Sequence, residues 1–174
     1  MKKVFYIFGI LVMGILASCQ KDPVGNTACV EMAGDWYVTV DATSAGQLVY
    51  EDPYGMGYIH VFTSNTAAND ATELLLTDDR DDPFWQFKVK VKANPNTMTF
   101  STSYGENLVE DYEDMTMIVT GGKITKGGAT TPSGMPADAI EFYIQFSDDS
   151  DGPAYGWDSF YVHGYRYTGL AGDE

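Results

Sequence analysis

Apolar and polar residues alternate with a period of two along most of the chain after residue 28, which is the pattern of half-buried β-strands. In the clearest run, 84–92, two aromatic and two valine side chains share one face, while a glutamine and three lysines share the other. The Asn-Pro-Asn sequence at 94–96 favours a turn, and the alternation resumes at 97–104. These two runs predict a β-hairpin.

Further alternating or apolar runs predict strands at 36–41, 58–63, 73–77, 115–120, 140–146 and 159–168. No segment after residue 19 repeats apolar residues at helical spacing for three turns. Segment 121–137 contains five glycines and two prolines, and it is predicted as a loop unless 123–126 adds a short strand. The fold class is therefore all-β, an antiparallel up-and-down barrel of about eight strands, because closure removes exposed sheet edges.

The first residues are typical of an export signal. Lys2 and Lys3 precede an uncharged run, Val4 to Ile15, that is too short to span a bilayer. The run ends in Leu-Ala-Ser-Cys at 16–19, which resembles a bacterial lipobox and implies lipidation of Cys19 after cleavage. An ordinary secretory signal with a chance cysteine is the alternative.

We therefore divide the chain into a signal peptide (1–18), a lipidated cysteine with a polar tether (19–28) and a β-barrel domain (29–174). Two or three acyl chains on Cys19 would anchor the protein durably in a membrane. Residues 20–22 resemble sorting tags of some Gram-negative surface lipoproteins. The expected location is the outer membrane, and the sequence does not distinguish its periplasmic face from its surface face.

Composition narrows the class of partner. The 174 residues include 25 acidic and 10 basic side chains, a formal net charge of -15. A protein this acidic repels phosphate, so no nucleic-acid partner is expected. The 12 Tyr, 9 Phe and 3 Trp exclude a disordered polyanion. If Cys19 carries lipid, Cys29 has no disulfide partner and is expected to be a small buried side chain.

Two short motifs carry a family resemblance. Gly34-Asp35-Trp36 opens the first predicted strand, and Arg166 lies in the last one. This combination resembles the lipocalins and implies that Arg166 packs over Trp36 as a cation–π pair at a closed end of the barrel. Together with the signal that ends in cysteine, the chain resembles the lipocalin-like bacterial envelope lipoproteins called lipid-binding putative hydrolases. That resemblance implies a barrel that binds lipid and a hydrolytic activity.

The residues themselves offer little chemistry. The chain has no Gly-x-Ser-x-Gly, no His-Glu-x-x-His and no glycine-rich phosphate loop. Only His60 and His163 could act as an imidazole base, and His163 is expected to be a structural strand residue. No catalytic residue, metal ligand or cofactor is predicted. The sequence therefore favours a protein that is not an enzyme.

Two functions of different class remain. In the first, the barrel binds a small apolar or amphipathic ligand of lipid or fatty-acid type, against a wall formed by Trp36, Trp85, Phe87, Phe100, Phe142 and Phe146. The alternative is that these rings themselves fill the interior of the barrel and leave no room for a ligand. In the second, loop aromatic residues bind glycans or assist envelope assembly: Tyr54, Tyr58, Tyr155 and Trp157, with Asp52 and Asp158 as hydroxyl acceptors. Hydrolysis ranks third.

Overall fold

The computed structural model describes residues 26–79 and 81–173. The signal peptide, Cys19 and most of the tether lie outside the described residues. The strands are β1 (Gly34–Ser44), β2 (Gln47–Tyr50), β3 (Ile59–Asn65), β4 (Glu73–Asp78), β5 (Lys88–Asn94), β6 (Thr99–Glu106), β7 (Thr116–Thr130), β8 (Pro136–Phe146) and β9 (Ser159–Arg166). A five-residue helix, α1 (Asp151–Tyr155), precedes β9.

The strands form a closed antiparallel barrel. Strand β1 pairs with β3, strands β3 to β9 then pair in chain order, and β9 returns to pair with β1 from Trp36 to Thr43. Strand β2 is an extra strand that pairs with the end of β1. The predicted fold class, an up-and-down antiparallel barrel of eight strands, is confirmed.

Alternate side chains of each strand point into the barrel and form one core, in which no side chain is more than 7 % exposed. The interior is therefore filled by its own side chains. The chain from residue 20 onward contains all nine strands and this whole core. We therefore expect this part of the chain to fold without the signal segment.

The barrel has two different ends. At the closed end a short 3-10 turn (Val30–Met32) covers the lumen, and Met32 is fully buried there. At the open end, connections 51–58, 81–87, 107–115 and 147–158 converge.

The predicted hairpin between 84–92 and 97–104 exists, as β5 and β6, with Lys92 opposite Ser101. Its first strand begins at Lys88 rather than residue 84, so the strand prediction was wrong for 84–87. There the chain turns, with Gln86 at φ 52°. The aromatic rings of 84 and 85 belong to a loop.

Segment 121–137 departs further from the loop prediction. Strand β7 continues to Thr130 and β8 begins at Pro136, so most of the segment is a long hairpin. The β7–β8 register shifts between Thr120 and Lys123 and again after Thr125. Gly121 and Gly127 adopt positive φ at these shifts, which a glycine permits without steric cost. The glycines therefore mark bulges in a strand.

Candidate functional site at the open end of the barrel

Five aromatic rings from two loops and two strands meet over the open end. We call them the mouth cluster: Tyr54, Phe84, Trp85, Phe146 and Phe160. Trp85 stacks on Phe146, with ring centroids 4.7 Å apart and planes 5° apart. Phe84 meets Phe160 edge-on at 5.1 Å, and Tyr54 lies 6.1 Å from both Trp85 and Phe160. The cluster therefore closes the lumen with loop side chains, in contact with the core below.

A buried carboxylate holds the loop that carries two of these rings. Asp78, at the end of β4, is 4 % exposed and faces the barrel interior. Its Oδ1 accepts the Phe87 N–H at 2.9 Å and its Oδ2 the Trp85 N–H at 3.0 Å. Burial raises the pKa of Asp78, and these backbone N–H groups offset the shift only in part. The carboxylate thus accepts the backbone N–H groups of Trp85 and Phe87 in the loop before β5 begins.

The residues predicted to form the ligand wall are spread along the barrel. Trp36 lies at the closed end, and Phe100 and Phe142 contact each other at 5.7 Å within the core. Phe87 and Trp85 both contact Phe146 at the open end. Of the six, only Trp85 lies outside the buried core. The structure brings Trp85, Phe87 and Phe146 together and keeps the others below them.

Sequence reasoning did not identify Phe84 and Phe160 as site residues. Phe160 follows the inward parity of Val162 in the last strand, so alternation carried a signal for it. Phe84 had no such signal, because it lies in the loop that alternation assigned to a strand.

Beside the mouth cluster lies a surface cavity of about 580 Å³, which we call the side cleft. Its lining residues are Tyr50, Glu51, Asp52, Pro53, Tyr54, Asp151, Tyr155 and Trp157. Three of the four rings predicted to bind glycans, Tyr54, Tyr155 and Trp157, therefore share one site. The fourth does not: Tyr58 stacks on Tyr37, with centroids 4.8 Å apart.

The two carboxylates assigned to the glycan hypothesis are occupied by local structure. Asp52 accepts the backbone N–H groups of Met56 and Gly57, one on each oxygen. Asp158 accepts the Ala45 N–H and the Ser159 hydroxyl. Asp52 lines the side cleft, and Asp158 fastens the β1–β2 turn.

At the closed end the structure brings Trp36 and Arg166 together. The Arg166 Cζ lies 4.4 Å from the centroid of the fully buried Trp36 ring. Its Nη1 donates to the Ala33 carbonyl at 2.9 Å, and its Nε donates to Asp138 at 3.3 Å. A Cβ on Gly34 would collide with the guanidinium. The glycine of the Gly-x-Trp motif therefore leaves room for the arginine.

The histidines lie on the outside of the barrel. His163 Nε2 is 3.1 Å from Asp41 Oδ2 and 3.2 Å from Thr39 Oγ1. A nucleophile–base–acid relay needs the two partners on different ring nitrogens, whereas these share one. His60 Nδ1 contacts Asp35 at 2.8 Å and packs against aromatic rings.

The other reactive side chains also have structural surroundings. Ser159 is 5 % exposed, and its hydroxyl forms hydrogen bonds with the Thr43 hydroxyl and the Asp158 carboxylate. Cys29 is fully buried, and burial, followed by the charge of Asp70, raises the pKa of its thiol. Within 26–79 and 81–173, no group of three or more His, Cys, Asp and Glu is placed to hold a metal ion.

The fold and the ring-filled mouth define a class, the closed antiparallel barrels whose open end is covered by loops. The family model described as "lipid-binding putative hydrolase" matches residues 21–171, and the chain belongs to that family. No curated protein matches the chain. Among the described residues, no helix has the length and apolar character needed to cross a membrane.

Proposed function

We propose that the protein is a lipoprotein of the outer membrane, anchored through Cys19, that binds a small apolar or amphipathic ligand at the open end of its barrel. The mouth cluster carries this proposal. Five rings cover the lumen there, and three of them belong to loops rather than to the barrel wall. The family to which the chain belongs supports the same ligand class.

Ligand entry needs a rearrangement, because the interior is packed. Displacement of loop 81–87 would remove Phe84 and Trp85 from Phe160 and Phe146. An alkyl chain could then take the place of these rings and gain roughly 25 cal/mol for each Å² of apolar surface buried. The strands, and the core rings such as Phe142, would stay in place.

An apolar fluorescent probe tests this ligand class. The chain from residue 20 onward should enhance the fluorescence of N-phenyl-1-naphthylamine, and decanol should displace the probe. Trp85→Ala should strengthen probe binding several-fold, because it removes a ring that the probe must displace from Phe146. Tyr104→Ala, which removes a 63 % exposed ring outside the cluster, is the control. A probe that gains no fluorescence, or that decanol leaves bound, would reject the proposal.

The anchor is tested separately. The full chain, expressed in a Gram-negative host, should be recovered with outer membranes and carry acyl mass on Cys19. Cys19→Ser should abolish both. Recovery of the unmodified chain in the soluble periplasmic fraction would show that no anchor is attached.

Glycan binding is the second candidate function, and one observation favours it. Tyr54, Tyr155 and Trp157 line one cleft at the protein surface, and aromatic rings can stack on sugar faces. Retention on immobilised oligosaccharides that is lost in Tyr155→Ala would support this function over the first.

A further inference from the structure

The side cleft and the mouth cluster are one continuous surface. Tyr54 lines the cleft and also contacts Trp85 and Phe160 of the cluster. Trp157, at the back of the cleft, lies 6.1 Å from Phe160. An amphiphile whose alkyl chain occupies the mouth would therefore place its headgroup in the side cleft.

The aromatic rings of the side cleft contact one another in different orientations. Tyr50 and Tyr54 meet Trp157 at interplanar angles of 82° and 88°, and Tyr155 lies nearly parallel to it at 11°. All four rings line the side cleft, and a cation bound there is attracted to the negative face of each ring that it meets. A sugar stacks instead on one flat platform.

The charges of the cleft are of one sign. Three of its eight lining residues are carboxylates, Glu51, Asp52 and Asp151, and none is basic. In the part of the chain that the structure describes, none of the three takes part in an ion pair. An anionic headgroup would therefore meet uncompensated negative charge, and a cationic one would be attracted.

The hydrogen bonds of these carboxylates favour a cation over a sugar. Both oxygens of Asp52 accept backbone N–H groups, and Asp151 Oδ2 accepts the Tyr54 hydroxyl at 3.3 Å. Their capacity to accept sugar hydroxyls is reduced, whereas their charge remains. Burial raises the pKa of the Tyr54 phenol, and the charges of Asp149 and Asp151 raise it further, as expected in a negative field.

We propose that the side cleft binds a cationic headgroup, an amine or a quaternary ammonium, of the amphiphile held at the barrel mouth. This inference rests on the proposed ligand function. It adds the headgroup chemistry, and it excludes a free fatty-acid carboxylate as the preferred ligand.

Three ligands with the same decyl chain test it: decyltrimethylammonium, decyl maltoside and decanoate, each below its micelle concentration. Calorimetric titration of the chain from residue 20 onward should give an affinity for decyltrimethylammonium about tenfold above that for decanoate. The double variant Glu51→Gln/Asp151→Asn should reduce this preference to about twofold, since it removes two cleft charges.

A second double variant separates the cleft from the overall negative charge of the protein. Glu113→Gln/Asp114→Asn removes two exposed charges from another loop and should leave the preference unchanged. Equal affinities for the three ligands would overturn the headgroup proposal and leave the ligand proposal intact. Tightest binding of decyl maltoside would overturn it in favour of a sugar headgroup. Absence of binding by all three would overturn both proposals.

Discussion

Asp78→Ala is expected to destabilise the protein by about 2–4 kcal/mol, because two backbone N–H groups at a buried site lose their acceptor. These are the N–H groups of Trp85 and Phe87. The loop that carries Phe84 and Trp85 should also lose its position, with an increase in the solvent exposure of Trp85. Urea denaturation followed by tryptophan fluorescence measures both effects.

Asp82→Ala is the control for Asp78→Ala, because it removes an exposed carboxylate from the same loop. It should change the free energy of unfolding by no more than about 0.5 kcal/mol. If the two variants have equal stability, Asp78 does not hold the loop.

The pH dependence of stability gives an independent check on Asp78. Because burial raises its pKa, the native protein holds this proton more tightly than the unfolded chain does. The contribution of the group is complete below its unfolded pKa, about 3.9, and is lost as the pH rises through the native pKa. As the pH rises through the native pKa, the free energy of unfolding of the wild-type protein should therefore fall relative to that of Asp78→Asn. A wild-type free energy of unfolding that rises with pH relative to that of the variant would contradict the assignment.

Arg166→Ala should cost about 1–2 kcal/mol of stability, since it removes a partly buried cation from the face of Trp36. Gly34→Ala should displace the same guanidinium. Because both changes break one interaction, the double variant should cost less than the sum of the two. Denaturant titration of the four proteins forms a complete cycle.

Lys126→Ala is the matched control at this end of the barrel. Lys126 pairs with Asp138, as Arg166 does, and also with Glu31, but it is about half exposed. Its removal should cost at most about 1 kcal/mol. If the effects of Gly34→Ala and Arg166→Ala on stability simply add in the double variant, the glycine of the motif does not serve to accommodate the arginine.

The barrel strands were largely predictable because alternation marks a strand that has one buried face, whereas β2, which has no buried residue, was not predicted. Trp36, Val91 and Phe142, for example, belong to three different alternating runs, and each side chain points into the barrel as its position in the alternation requires. The pattern failed where other groups replaced strand pairing. Asp78 binds the backbone of 84–87, so that alternating residues form a loop, and the bulges at Gly121 and Gly127 continue a strand through glycines that indicate a turn.

The candidate site was less predictable, because it depends on which loops meet. Tyr54 and Tyr155 share a composition-based signal with Tyr58, yet only the first two line the side cleft. Phe160 and Tyr54, 106 positions apart in the chain, make contact only through closure of the barrel and the path of loop 51–58. Local patterning carries no information on such contacts.

The central claim is that ligand binds at the open end, and the three tryptophans can locate it. Trp85 belongs to the mouth cluster, Trp157 lines the side cleft, and Trp36 lies at the closed end. Three variants, each retaining one tryptophan and phenylalanine at the other two positions, are titrated with an alkyl bromide such as 10-bromodecanol, which quenches indole fluorescence on close contact. Binding at the open end should give strong quenching of Trp85 and little of Trp36. Quenching of Trp36 with Trp85 unaffected would contradict it.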